Sequence, residues 1–350
     1  MRVVVVGASG NVGTSVLRSL AAEPAVDSIL GLSRRVPKAE FPKTDWQAAD
    51  VTRSALHPLF DGADAVVHLA WLIQPGRDRR LTRAVNVEGS ARVFGAAADA
   101  GVPTLVYASS IGAYAPGPKD RRVDESWPTT GVQSSFYSRD KAEVERLLDR
   151  FEDEHPGVRT VRLRPGLIFK REAASGIRRL FAGPLLPGRL VRPSLIPIVP
   201  DVERLVVQAV HSHDVAEAYR LALMGDARGP YNIAAEPVLD PDVLARALGA
   251  RKVPVPVSVL RAAAAASFRL RLQPTEPGWL DMGLAVPLMD MTRARSELGW
   301  EPRHSAAQAL LDLMAGMRDG AGLDTPPLQP GNAGPLRARE FLSGVGARTG

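Results

Sequence analysis

Tyr137 and Lys141 stand four residues apart in the run Tyr-Ser-Arg-Asp-Lys, near the start of a helical pattern spanning Ser134 to Glu154. At that spacing two side chains leave a helix on one face. A free phenol titrates near ~10, and an ammonium beside it favours the phenolate by roughly one to three units. Such a pair can shuttle a proton near neutral pH while a hydride moves. Ser109 and Ser110 close a predicted strand, Thr104 to Ser109, at the carboxyl edge where open α/β sheets bind ligands. A hydroxyl there can hold a substrate carbonyl or alcohol against the tyrosine. Without Tyr137 it would only cap a turn.

The second chemical signal is Gly7-Ala8-Ser9-Gly10-Asn11-Val12-Gly13. Four valines, Val3 to Val6, precede it and read as a strand buried on both faces. Val12 to Ala22 follows with apolar residues at helical spacing, so the glycines sit on a strand-to-helix turn. Glycines there let backbone N–H groups approach a phosphate, and the helix N-terminus adds partial positive charge. A glycine turn can also merely pack a helix on a strand. The strand-turn-helix context points to a dinucleotide instead.

Cofactor choice turns on the end of the second predicted strand, Ser28 to Ser33. An acidic residue there would bind the adenosine ribose and repel a 2′-phosphate. Ser33-Arg34-Arg35 offers a hydroxyl and two guanidiniums suited to phosphate. NADP(H) is expected, with NAD(H) as the alternative if these arginines face solvent or stack on adenine.

The elements that must position these groups alternate strand and helix. Further strands are predicted at Trp46 to Val51, Ala63 to Ala70, Arg159 to Leu163 and Gly229 to Ala234, with helices at Thr82 to Ala100 and Asp214 to Met224. The expected class is α/β: a doubly wound parallel Rossmann sheet with a smaller, mainly helical C-terminal substrate lobe. Residues 1–170 plus about 203–235 form the expected dinucleotide domain. Residues 171–202 plus 236–320 form the lobe, including a helix at Val257 to Leu270, and the Gly- and Pro-rich residues 321–350 read as a loose tail.

At 350 residues, 45% hydrophobic and 23% charged, the composition is that of a globular protein. Cysteine is absent, which excludes disulfides and thiolate chemistry. The net charge of +6 comes from arginines spread along the chain, with only 5% aromatics, so no nucleic-acid partner is expected. The N-terminal apolar run is four residues long and no stretch has the length of a membrane span, so the expectation is a cytoplasmic protein without a membrane partner. The expected partner is a small-molecule substrate, with a homodimer as a further expectation. His211, His213 and Asp214 lack third and fourth ligands for a metal, and none is expected. His68 reads as a core histidine. Arg77, Arg79, Arg80 and Arg83 read as a solvated helix face, or as contacts to an anionic substrate.

Taken together, the motifs resemble those of an extended short-chain dehydrogenase/reductase of the NAD-dependent epimerase/dehydratase family. The resemblance covers about 1–235 well and 285–303 more weakly. It rests on the glycine turn, Asp50-Val51, His68-Leu69-Ala70-Trp71, Asn86-Val87-Glu88-Gly89, Ser109-Ser110 to Tyr114, Tyr137 with Lys141, Arg164-Pro165-Gly166, His213-Asp214-Val215-Ala216, and Met291 to Pro302. It implies Tyr137 as acid/base, Lys141 on the nicotinamide ribose, and Ser110 rather than Ser109 as the catalytic hydroxyl. It further implies Asp50 and Val51 at adenine, and Leu69, Ala70 and Trp71 along the ribose and pyrophosphate. Asn86 would lie beside the nicotinamide half, with Pro165 and Gly166 beneath it. Sugar-nucleotide 4,6-dehydratases resemble one another in an Asp-Glu pair after the catalytic residue. Ile111-Gly112 stands there, which argues against a dehydratase.

The expected activity is hydride transfer at a carbinol or carbonyl carbon. Reductase and epimerase remain open, and the Ala- and Pro-rich lobe suits a less polar substrate. The competing class is a non-catalytic NADP(H)-binding sensor or assembly factor on the same fold, which would have no need of the Tyr/Lys pair.

Overall fold

The valine run forms the central strand β1, Arg2–Val6. Its side chains alternate across the sheet: Val3 and Val5 enter one core cluster, Val4 and Val6 the other. The computed structural model describes residues 1–73, 77–181 and 191–330. Around β1 lie β2 (Ser28–Ser33), β3 (Thr44–Ala48), β4 (Ala65–His68), β5 (Thr104–Ala108), β6 (Arg159–Pro165) and β7 (Gly229–Ile233). All pair in parallel, in the order β7-β6-β5-β4-β1-β2-β3. Strand order reverses between β1 and β4, and in such sheets that crevice is where ligands bind. The doubly wound α/β class read from the sequence is the fold observed.

Helices cover both faces. They include α1 (Asn11–Ala21), α2 (Gly89–Asp99), α3 (Phe136–Glu154) and α4 (Ser212–Met224), with α1 packed against α4. The predicted helix at Thr82 to Ala100 is interrupted: a short helix, Arg79–Arg83, runs through a single wide turn, Ala84–Glu88, into α2. Gly89 sits where that turn meets the segment after β3, since a Cβ there would stand 2.6 Å from Cγ2 of Val51.

Beyond the sheet, Leu167–Phe169, Val207–His211 and Ala235–Leu239 form a small three-stranded sheet. Its core joins Phe169, Ala209 and Leu239 to Ala309 and Leu313 of a helix at Ala306–Asp319. The C-terminal region adds α5 (Val257–Arg269), α6 (Gly278–Ala285) and a ribbon pairing Ile198–Asp201 with Arg251–Pro254. Of the expected 171–202 segment, 182–190 lie outside the described residues, as do 331–350 of the expected tail. Within 321–330, Thr325 and Leu328 are buried.

Candidate active site

The glycine turn is built by close approach. Gly7 has φ +87°, and a Cβ on it would stand 2.7 Å from the Ala70 backbone nitrogen. The turn after β1 therefore presses on the end of β4, where the Leu69 amide also donates to the Val6 carbonyl at 2.8 Å. A Cβ on Gly13 would stand 2.5 Å from the carbonyl oxygens of Gly7 and Ala8, so α1 can seat against the strand only with glycine there. Gly10 is the N-cap of α1 and supplies no side chain, leaving the Asn11, Val12 and Gly13 amides without a side-chain cap. Ser9 is buried in the turn. Asn11 donates its side-chain amide to the Ile168 carbonyl at 3.2 Å, while its Oδ1 is buried and has no hydrogen-bond partner. A glycine cradle and uncapped amides together fit a dinucleotide pyrophosphate, whose oxygens accept from those amides.

The rim follows. Ser33 is buried and donates to the Arg35 carbonyl at 2.7 Å, folding the chain so that the Arg34 and Arg35 side chains are exposed. Asp50 accepts from the Thr52 amide at 3.0 Å and the Thr52 hydroxyl at 2.7 Å. Burial alone would raise its carboxyl, but Thr52, Arg53 and Arg34 hold it below the usual carboxylate range. Val51 beside it is buried. Asn86, on the wide turn before α2, spends its amide on Leu72, accepting from the Leu72 amide at 2.7 Å and donating to its carbonyl at 2.8 Å. It thereby fixes the chain that carries Trp71. A Cβ on Gly166 would collide with the Gln208 carbonyl oxygen, so Pro165-Gly166 runs tight against the small sheet.

Ser110, Tyr137 and Lys141 converge at the ends of β5 and α3. Ser110 accepts from the Gly112 amide at 3.0 Å, and its hydroxyl favours the phenolate of Tyr137. Ser109 turns the other way and donates to Glu145. Ser135 caps α3, placing Tyr137 in its first turn and Lys141 one turn on. Lys141 is buried and donates to the Ala108 carbonyl at 2.7 Å and the Tyr107 hydroxyl at 3.3 Å. Its ammonium also lies 3.5 Å from the centre of the Trp71 ring. Burial drives that ammonium down to about 7, against the pull of Glu145 and Asp140. Burial pushes the Tyr137 phenol up to about 12, with the Ser110 hydroxyl opposing it. The lowering by Lys141 expected from their spacing is absent here, because the ammonium is engaged by the Ala108 carbonyl and the Trp71 face.

Glu145, one turn below Lys141, anchors the helix. It meets Arg164 at 2.8 and 2.9 Å and Arg162 at 3.0 Å, all three side chains buried. Burial opposes its charge, but the two guanidiniums and Ser109 hold it down to about 2. Sequence reasoning missed two more contributors. Trp279 of α6 lies over Tyr137, ring centres 4.7 Å apart, and Trp71 meets the same ring edge-on at 5.9 Å. A Cβ on Gly112 would stand 2.8 Å from Cε1 of Tyr137. Ile111, Val132 and Met282 complete this apolar cluster.

The remaining sequence signals lie elsewhere. Arg79 pairs with Asp140 at 3.1 Å and stacks on Phe136, Arg83 pairs with Glu143, and Arg77 stacks on Phe268 at 4.0 Å. His68 bonds Ser90 at 2.9 Å and is kept neutral, lowered to about 3 by burial and by Lys141. His211 stacks on His304 at 4.1 Å, and Asp214 accepts from the His304 amide at 3.0 Å. Among the described residues no group of three or more such side chains is arranged to hold a metal.

The model of the family described as "NAD dependent epimerase/dehydratase family" matches residues 3–234. An uncharacterized protein of Mycobacterium tuberculosis is 29% identical over 326 residues, covering 92% of this chain and 31% of that protein. The chain thus spans less than a third of that relative's length. A sterol-4-alpha-carboxylate 3-dehydrogenase (decarboxylating) of Saccharomyces cerevisiae is 31% identical over 148 residues, 41% of this chain and 42% of that enzyme. The Thermus thermophilus UDP-glucose 4-epimerase complex with NAD superposes with a TM-score of 0.66 at 22% identity, over 91% of this chain and 99% of that one. That likeness is one of fold.

Proposed function

The chain belongs to the NAD dependent epimerase/dehydratase family, and within it we propose a nicotinamide-dependent dehydrogenase or reductase acting on a largely apolar alcohol or ketone. The observation that carries the reading is the apolar enclosure of the proton-transfer group. Tyr137 is buried, influenced by Ser110, and walled by Trp71 and Trp279. Indole faces suit a flat apolar skeleton better than a sugar ring, whose hydroxyls would lack polar partners there. The yeast relative, named for a sterol carboxylate dehydrogenase, agrees with that substrate class.

The Asn11, Val12 and Gly13 amides would hold the dinucleotide pyrophosphate, Leu69 and Ala70 its ribose side, and Asp50 and Val51 its adenine. Pro165 and Gly166 would flank the nicotinamide. Arg34 and Arg35 would meet a 2′-phosphate, favouring NADP(H) over NAD(H). Bound there, the nicotinamide supplies or accepts the hydride. Ser110 holds the substrate oxygen by its hydroxyl. Tyr137 gives its Oη proton to that oxygen in reduction and takes one in oxidation. Lys141, one turn along α3 from Tyr137, would hold the nicotinamide ribose.

The test is turnover of cyclic and steroidal ketones and alcohols with NADPH, NADP, NADH and NAD, beside UDP-sugars, for the wild type and Tyr137→Phe. Redox turnover of the apolar set that falls about 100-fold or more in Tyr137→Phe is expected. UDP-sugar epimerisation would overturn the substrate class. Full activity of Tyr137→Phe would overturn the acid/base role, and dinucleotide binding without any turnover would place the chain among sensors.

A further inference from the structure

Helix α5 buries none of its residues. Its outward stripe, Val259, Ala262, Ala263, Ala266 and then Leu270, is exposed and wholly apolar. Val259 is 56% and Leu270 69% exposed. A solvated helix face normally carries the polar residues, so this helix is turned the wrong way for water. Leu272 extends the stripe, and exposed Ile198 sits beside Arg251 in the ribbon that leads into α5. Among the described residues, the exposed large apolar side chains all fall between 195 and 272 except Val36.

The charge around this stripe has one sign. Val243 to Thr275 contains no Asp or Glu, but it holds Arg246, Arg251, Lys252, Arg261, Arg269 and Arg271. Lys252 is paired with Asp242 at 2.7 Å and Arg261 with Asp281 at 2.8 Å. Arg251, Arg269 and Arg271 are exposed, and none of them is ion-paired with a carboxylate among the described residues. Arg271 even faces another cation, Arg77.

We propose that the outer face of α5 and the adjoining ribbon dock on an anionic lipid surface. Exposed apolar side chains flanked by uncompensated guanidiniums are what an interfacial helix needs: the former enter the acyl boundary, the latter meet headgroup phosphates. A second copy of the chain fits less well, because it would bring the same cations face to face. The helix lies on the bilayer and does not cross it, since no helix among the described residues is long and apolar enough to span. Its place gives docking a purpose. Arg261 ties α5 to α6, which carries Trp279, and Phe268 stacks under Arg77 in the segment that follows Trp71. Helix α5 thus carries the docking stripe on one side and meets the walls around Tyr137 with the other, where an apolar substrate would come from the same lipid. That purpose rests on the proposed substrate class, whereas the docking itself does not.

The experiment is co-sedimentation of the whole chain, without substrate, with vesicles of phosphatidylcholine alone and of phosphatidylcholine with phosphatidylglycerol. Binding to the anionic vesicles only is expected, weakened by salt. Leu270→Glu and the pair Arg269→Glu with Arg271→Glu should each weaken it about tenfold or more, with thermal unfolding unchanged. Absence of binding, or binding that these variants leave intact, overturns the proposal. So does a dimer in sedimentation that Leu270→Glu dissociates, which would assign the face to a second copy. Because no turnover is read, a wrong substrate class cannot mimic any of these results.

Discussion

The ammonium of Lys170 donates at 2.7 Å to the main-chain carbonyl of Asn11, the residue that opens α1. It is fully buried and also donates to the hydroxyls of Thr14 at 2.6 Å and Ser15 at 3.1 Å. One cation thereby pins the first turn of the glycine helix to the segment after Leu167–Phe169, joining the sheet's dinucleotide edge to the small sheet. Its hydrogen-bond partners are neutral oxygens, so burial drives it down to about 7, with Glu172 offsetting only part of the cost.

Lys170 therefore makes stability depend on pH. Its folded pKa of about 7 lies below the unfolded value of 10.5. The unfolded chain binds more protons between those values, so stability rises with pH across the window and is lost as pH falls towards 7. Lys141, lowered in the same way, adds to the trend. Urea unfolding should show the wild type gaining about 2 kcal/mol per lysine between pH 7 and ~9. Lys170→Met should lose its share of that gain. An unchanged pH slope would show that Lys170 titrates normally.

Gly112→Ala places a methyl 2.8 Å from Cε1 of Tyr137. The ring has Trp71 on one side and Trp279 on another, so it can yield only by shifting its hydroxyl relative to Ser110. A misplacement of about 1 Å costs on the order of 100-fold in rate. Turnover should fall by that order while dinucleotide affinity and thermal unfolding stay near wild type. Normal turnover would mean the Ser110–Tyr137 geometry is not the working one.

Glu145→Gln removes the one buried anion between two buried guanidiniums. Breaking such a network costs about 3–5 kcal/mol, because Arg164 then lies buried without a carboxylate while Arg162 keeps only Asp149 and Glu152. The pH dependence has a definite sign. Glu145 is held at about 2 against an unfolded value near 4.5, so its contribution is complete above 4.5 and is lost as pH falls towards 2. Denaturant unfolding should show a large deficit at neutral pH that narrows in acid. A deficit independent of pH would assign the loss to packing.

The legible parts of this molecule were the local ones. Val3 to Val6, the Gly7-to-Gly13 turn and the helix bearing Tyr137 and Lys141 each carry their structure within a few residues, through periodicity and turn chemistry. The parallel, doubly wound class followed from strand-helix alternation. Trp279 was not legible: it reaches Tyr137 only because α6 folds back across some 140 positions, and nothing in Gly278–Ala285 marks it. Nor was the state of Tyr137, since four-residue spacing puts Lys141 on the same helix face without saying that Ala108 and Trp71 engage its charge. The third strand stops at Ala48, short of the predicted Val51, because Asp50 and Thr52 close a turn. The strands at Ile198–Asp201 and Arg251–Pro254 are too short for alternation to show.

Cofactor choice gives the last prediction. Ser33 is tied to the Arg35 carbonyl, which fixes the bend that puts both guanidiniums outside the end of β2. Arg34 also acts on Asp50, lowering its carboxyl, so one guanidinium is shared between the adenine side and any 2′-phosphate. The leading influences on the Asp50 carboxyl are burial, Thr52, Arg53 and Arg34. Arg35→Ala should therefore weaken NADPH about tenfold and leave NADH nearly unchanged, the loss of one charge-assisted phosphate contact. Arg34→Ala should weaken NADPH similarly and alter NADH as well, through Asp50. Titration of the chain with each reduced dinucleotide, followed by nicotinamide fluorescence, separates the two patterns. Equal losses for both dinucleotides in both variants would show that the arginines stack on adenine and leave the 2′ position unread.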